Sequence, residues 1–163
     1  MKKILAIVLV LSCFQTVMSQ NVKWTYWAEP DTAKNVYKLF FKADIKEGHY
    51  IGDQYQPQDS KLVPLTVTVN AHKNIESQST SLMSIGHQKG YLIWADSSAR
   101  YKHSGIPIDL SHGVTFVKFV KLKQPMSTLL TGEITCQVAT KSGCYYTKPD
   151  KQEFTMMIYN YEP

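Results

Sequence analysis

Long apolar runs, cysteine and dense charge of either sign are all scarce in this chain. No apolar stretch reaches the roughly 18 residues that a membrane-spanning helix needs. Three cysteines among 163 residues are too few for a small scaffold held together by disulfides. The 19% share of charged residues fits neither a coiled coil nor a solvated tail, while the 44% share of hydrophobic residues is enough for one domain with a buried core.

The N-terminus has the layout of an export signal. Two lysines follow Met1, an apolar stretch comes next, and the segment ends in small residues at Ser19. This predicts a signal peptide over residues 1–19, with a mature domain over residues 20–163. Cleavage removes both lysines and no acidic residue, so the net charge falls from +5 to +3. Nucleic-acid binding is not predicted, because it needs a dense basic face.

The same segment allows an alternative interpretation. Val10-Leu11-Ser12-Cys13 resembles a lipobox, in which Cys13 would carry a lipid anchor at the membrane surface. We expect the soluble exported form in preference to the lipoprotein. Both forms place the domain outside the cytoplasm, periplasmic or otherwise exported, where a disulfide can persist.

Apolar and polar residues alternate at several places in the mature segment. This period of two indicates half-buried β-strands. Strands are predicted near residues 22–26 and over 37–45, 65–69, 90–94, 114–122, 130–138 and 154–158. Since helical periodicity is absent, about seven short strands predict an all-β, immunoglobulin-like β-sandwich.

Two stretches depart from simple alternation. The apolar face switches between Phe116 and Val117, which predicts a β-bulge there. Residues 71–113 are less regular, and residues 76–81 are predicted to form a polar loop. A long irregular stretch inside a compact domain is often functional.

Cys136 and Cys144 are the cysteines of the mature segment. If the turn between them centres on Thr140, the two face each other and a disulfide is within reach. If residues 141–142 form a two-residue turn, Cys144 faces Ala139 and lies roughly 10 Å from Cys136, too far for a bond. The apolar face around Cys136 is also typical of a small unpaired core residue. The sequence leaves these alternatives open.

Six motifs follow one another along the mature segment. They are Val22-Lys23-Trp24, Asp44-Ile45-Lys46-Glu47-Gly48-His49-Tyr50, Leu65-Thr66-Val67-Thr68-Val69, Phe116-Val117-Lys118-Phe119-Val120-Lys121-Leu122, Gly132-Glu133-Ile134-Thr135 and Gly143-Cys144-Tyr145. In this order they resemble the N-terminal periplasmic domain of DsbD-type thiol–disulfide interchange proteins. The resemblance implies an immunoglobulin-like sandwich that passes electrons to periplasmic thiol–disulfide proteins through a cysteine pair under an aromatic cap loop.

The resemblance assigns candidate site residues one by one. Cys144 matches the family's second cysteine. The family's first cysteine falls on Val138 or Ala139, so Cys136 would be a shifted partner. Tyr145 follows the matched cysteine as an aromatic often does in the family.

Three further candidates surround this predicted site. Tyr50 matches an aromatic beside the family's cysteines. The cap aromatic falls near His103, where this sequence has Tyr101 close by. These residues would bind or shield the partner.

Two hypotheses follow. In the first, the domain is a component of thiol–disulfide interchange: a Cys144 thiolate attacks a partner's disulfide to give a mixed disulfide, with Cys136 as possible partner and no cofactor. In the second, the fold has lost the redox pair and binds an exported protein or peptide through a sheet edge or the loops of residues 71–113. The histidines form no metal-binding motif, and no Gly-x-Ser-x-Gly motif indicates a hydrolase.

Overall fold

The computed structural model describes most of the mature segment and one short stretch before it. The described residues are 15–18, 21–47, 49–52, 54, 63–85, 92–95, 101–103, 106–107, 114–140, 143–146 and 149–159. Residues 15–18, 50, 92–95, 101–103, 106–107, 139–140 and 143–146 are described by their backbone alone. Within these ranges there is no helix long and apolar enough to cross a membrane.

All regular structure in these ranges is β-strand. The strands are β1 (Gln15–Met18), β2 (Val22–Pro30), β3 (Val36–Ile45), β4 (His49–Gly52), β5 (Thr66–Val69), β6 (Ile75–Gln78), β7 (Met83–Ile85), β8 (Leu92–Ala95), β9 (Tyr101–His103), β10 (Ile106–Pro107), β11 (Val114–Leu122), β12 (Thr128–Cys136), β13 (Val138–Thr140), β14 (Gly143–Tyr146) and β15 (Asp150–Ile158).

The strands form three antiparallel sheets. The first has the order β1-β2-β3-β11-β6, with β7 also paired to β11; the second has the order β10-β9-β8-β4-β13-β14; the third has the order β15-β12-β5. Gln137 alone separates β12 from β13, so one nearly continuous strand joins the second and third sheets. Its side-chain oxygen accepts a hydrogen bond from the Val63 amide at 2.7 Å, and its carbonyl accepts one from Gly52 at 3.0 Å.

The first and third sheets pack face to face. The alternation predicted for residues 37–45 is confirmed, since every odd position of that stretch is buried. The ring of Phe154 in β15 lies 5.7 Å from that of Tyr26 in β2 and 5.1 Å from that of Phe41 in β3. The protein is therefore an all-β, immunoglobulin-like β-sandwich, as the strand pattern predicts.

The bulge predicted in β11 is wrong. β11 pairs with β3 in continuous register from Val114 to Lys121, and the register shift that β11 does show is against β6, next to Leu122. The switch is only apparent, because Lys118 is on the same face as Phe116 and is only 5% exposed. Lys118 interrupts the alternation of apolar residues in the sequence, but the strand itself continues through it.

The polar loop predicted over residues 76–81 is also partly wrong. Residues 75–78 form the edge strand β6, which pairs with β11. Its residues are exposed apart from half-buried Ile75. An edge strand with little buried surface carries no alternation that could reveal it.

The strand β1 lies within the predicted signal peptide. It forms the edge of the first sheet, with Gln15 opposite Tyr26 and Met18 opposite Lys23. Cleavage before Gln20 would therefore leave β2 as the edge of that sheet.

Candidate functional site

The structure places most of the predicted site residues in the second sheet. Tyr50 is in β4, Tyr101 and His103 are in β9, and Cys144 and Tyr145 are in β14. In this sheet β9 is four strands from β14 and β4 is two strands from it. At about 4.8 Å per strand, these separations are roughly 19 Å and roughly 10 Å along the sheet. The sheet thus brings Tyr50 nearer to Cys144 than the two cap residues.

The hairpin between the cysteines has the register of a two-residue turn. Thr140 pairs with Gly143 around residues 141–142, and Ala139 pairs with Tyr146. Cys136 belongs to the third sheet, where its cross-strand partner is Asp150. The turn at residues 141–142 is the two-residue alternative, but a register shift between Ala139 and Thr140 puts Tyr146, and not Cys144, opposite Ala139. Cys144 lies across from the stretch between Ala139 and Thr140, which is at least three residues, roughly 10 Å, along the strand from Cys136.

Cys136 itself is a buried free thiol. It is only 1% exposed. Burial, and secondarily the Asp150 carboxylate, raise the pKa of the thiol to about 12. The Trp24 indole acts weakly in the opposite direction, and its Nε1 has no hydrogen-bond partner of good geometry in the described part of the chain. A thiol in this environment stays protonated and is not a nucleophile at neutral pH.

Metal binding finds no support in the part of the chain that the structure describes. There, no three histidine, cysteine, aspartate or glutamate side chains come close enough together to hold a metal ion.

The edge of β5 offers a different kind of site. Its register with β12 runs from Thr66 opposite Thr135 to Val69 opposite Gly132. One step further the amide of Asn70 donates to the carbonyl of Thr131 at 2.9 Å. Hydrogen-bonded and non-hydrogen-bonded positions alternate in an antiparallel pair. The even residues of β5 therefore bond to β12, while the odd ones point their backbone groups away from it.

Those outward groups face a groove. Its volume is about 560 Å³, and it lies between β5 on one side and residues 78–82 on the other. Gln78 spans it, donating from Nε2 to the carbonyl of Val69 at 3.3 Å. No partner from the described residues meets the outward backbone groups of Val67, midway along β5. An edge of this kind can pair with a further strand.

Among the described residues that line the groove, Lys118 is the one with a buried charge. Its ammonium donates a 2.6 Å hydrogen bond to the carbonyl of Ser79. Ser79 is in turn fixed to Phe119: the Phe119 amide donates to the Ser79 hydroxyl at 3.0 Å, and the Ser79 amide donates to the Phe119 carbonyl at 2.8 Å. No carboxylate of the described ranges pairs with Lys118, and burial lowers the pKa of its ammonium.

Sequence reasoning missed Lys118 because a lysine in a strand is normally assigned to the solvent face. The signal was present in the spacing, since Phe116, Lys118 and Val120 are at the same parity. The edge of β5 could not be found in this way. It depends on which strands pair with β5, and pairing is a property of the whole fold.

Comparisons with known proteins add little to this geometry. No protein-family model and no curated protein sequence matches the chain. Similar solved structures include the GAE domain of GGA2p from Saccharomyces cerevisiae, at 10% identity and a TM-score of 0.44, covering 90% of this chain and 98% of that one. The yeast GGA1 GAE domain is similar at 10% identity and a TM-score of 0.42, covering 89% of this chain and 98% of its own.

Proposed function

We propose that this protein is an exported, non-redox binding module that takes up an extended peptide segment of a partner along the edge of β5 that no strand of the described ranges occupies. The observation that carries the proposal is the set of outward backbone groups at Val67, which open onto a groove. Adding a strand to an exposed edge is a common mode of peptide recognition, in which the main-chain hydrogen bonds supply the affinity.

The test is peptide selection followed by amide hydrogen exchange. Random decapeptides displayed on phage are selected on the full chain, and the enriched peptides are synthesised. We expect a bound peptide to slow exchange at the Val67 and Val69 amides, which point into the groove. The Thr66 and Thr68 amides bond to β12 already, so their exchange should change little. Selected peptides that leave the Val67 and Val69 amides unprotected would overturn the proposal.

A matched pair of variants tests the same point from the protein side. Val67→Pro removes the outward amide, and its position at a sheet edge costs no ladder hydrogen bond. Val67→Ala also removes the branched valine side chain and keeps the amide. We expect the alanine variant to bind the selected peptides and the proline variant to lose them. Equal binding by two folded variants would contradict docking at this edge.

Thiol–disulfide interchange, together with the resemblance that suggested it, stays a prediction with a separate test. Maleimide labelling and intact mass are measured with and without reductant, on the protein from an exporting host. A thiol count that rises only after reduction would support a Cys136–Cys144 disulfide and displace our proposal. We expect instead that Cys136 labels only after unfolding, with no need for reductant, because its thiol is buried and protonated.

A further inference from the structure

The buried ammonium of Lys118 indicates which peptides the groove selects. We propose that the segment bound along β5 carries a carboxylate side chain that pairs with Lys118. This inference rests on the proposed function, because it assigns the chemistry of the ligand at the same groove.

No carboxylate among the described residues forms an ion pair with Lys118. The residue is 5% exposed, and the hydrogen-bond partner of its ammonium among the described residues is the neutral carbonyl of Ser79. An ammonium has three N–H donors, so two remain for a ligand. Burying an unpaired charge is costly, and an opposite charge with good hydrogen-bond geometry offsets that cost. A ligand carboxylate is the group that would do this.

The neighbouring side chains define how such a ligand would lie. Phe116 and Val120 flank Lys118 on the core-facing side of β11. The lining of the groove also includes two buried apolar residues, Leu65 and Leu82. An extended peptide on β5 directs every second side chain into the groove. A peptide with a carboxylate residue at one of these alternate positions, and an apolar residue at the alternate position on either side of it, would therefore match the Lys118 ammonium and its apolar neighbours.

The experiment compares two synthetic peptides on the unmodified full chain. The probes are fluorescein-labelled Thr-Val-Thr-Glu-Thr-Val-Thr and the same peptide with Gln in place of Glu. We expect the Glu peptide to bind roughly tenfold or more tightly, the ratio that a charge-assisted hydrogen bond in place of a neutral one provides. Fluorescence anisotropy gives both affinities, and amide exchange at Val67 reports whether each peptide lies on β5.

A matched pair of protein variants isolates the role of Lys118. Lys118→Met keeps a long side chain and removes the buried charge. Lys121→Met removes a charge from the same strand, where the ammonium is exposed and already pairs with Glu76 at 2.8 Å. We expect the preference for the Glu peptide to disappear in Lys118→Met and to persist in Lys121→Met. If Lys118→Met does not fold, the two peptides on the unmodified chain still decide the question.

The outcomes separate this inference from the proposed function. Equal affinities, with Val67 protected by both peptides, would overturn the role of Lys118 and leave docking on β5 intact. A Glu preference that survives in folded Lys118→Met would also overturn it. Failure of the Glu peptide to protect Val67, when peptides from the random selection do so, would overturn the inference alone. If no peptide of any sequence protects Val67, the proposed function fails with it.

Discussion

Replacing Gly132 by alanine tests how closely β12 is packed between its two neighbours. Gly132 pairs with Val69 of β5 and with Phe154 of β15. A Cβ atom added at Gly132 would lie 2.5 Å from Cζ and 2.6 Å from Cε1 of Phe154, and it would overlap the carbonyl oxygen of Thr68. Carbon atoms in ordinary contact are roughly 3.5–4.0 Å apart, so the ring and the β5 backbone would both have to move.

The magnitude follows from two opposing terms. Alanine inside a strand is favoured over glycine by roughly 0.5–1 kcal/mol, because it has less chain entropy to lose. Overpacking of a core costs about 1–3 kcal/mol. The upper part of that range applies here, since the Phe154 ring is held between Tyr26 and Phe41 and the Thr68 oxygen belongs to the backbone. We expect a net loss of about 1–2 kcal/mol in the free energy of unfolding.

Urea unfolding measures this loss directly. The midpoint should fall while the slope m stays constant, since the unfolded surface is unchanged. Phe154→Leu provides the coupling control: the double variant should lose less than the sum of the two single losses, because the smaller side chain gives the new methyl group room. A Gly132→Ala variant as stable as the unmodified protein would refute the close packing described here.

Three other measurements follow from buried or charged groups. Asn74→Ala should cost about 1–3 kcal/mol in urea unfolding, because Asn74 is buried and donates to the Thr128 hydroxyl at 2.8 Å; an unchanged midpoint would contradict this. Hydrogen bonding to Lys151 is the main cause that lowers the pKa of Glu133, so Lys151→Met should raise that pKa in an NMR titration, and a constant value would speak against the ion pair. Burial raises the pKa of Cys136 to about 12, so the protonated thiol contributes its full stability below the ordinary pKa of a cysteine, and this contribution is lost as pH rises towards about 12. The unmodified protein should therefore lose stability relative to Cys136→Ala by about 1.4 kcal/mol per pH unit above pH ~9. A stability difference that does not change with pH would contradict the burial of the thiol.

The strands with a buried face could be predicted from the sequence, because burial leaves a period of two. Residues 37–45 illustrate this, since each odd position is apolar in the sequence and buried in the fold. The edge strand β6 could not be predicted, because exposed residues are free of that constraint. The apparent bulge in β11 came from treating Lys118 as a surface residue.

The candidate site was less predictable than the fold. The sequence alone left two registers for the hairpin between the cysteines, and a shift of one or two residues decides whether Cys136 faces Cys144. The structure has the register with Thr140 opposite Gly143. Register depends on the pairing of β13 with both neighbours, and a pattern within one strand carries no information about that.

The hydrogen bonds that Gln78 and Lys118 make across the groove can be replaced by hydrogen bonds to a ligand. Gln78 reaches the Val69 carbonyl through a long hydrogen bond of 3.3 Å, and Lys118 reaches one neutral carbonyl. Edge strands are usually protected by a charge, a proline or a bulge on the strand itself, whereas the exposed side chains of β5 are Thr66 and Thr68. An incoming strand would replace the hydrogen bond from Gln78 to the Val69 carbonyl by a main-chain hydrogen bond. Displacing Gln78 from the groove would therefore cost little free energy. A carboxylate would at the same time neutralise the charge of Lys118, which no carboxylate of the described residues pairs with. Selectivity would then come from Lys118, while affinity would come from the backbone of β5.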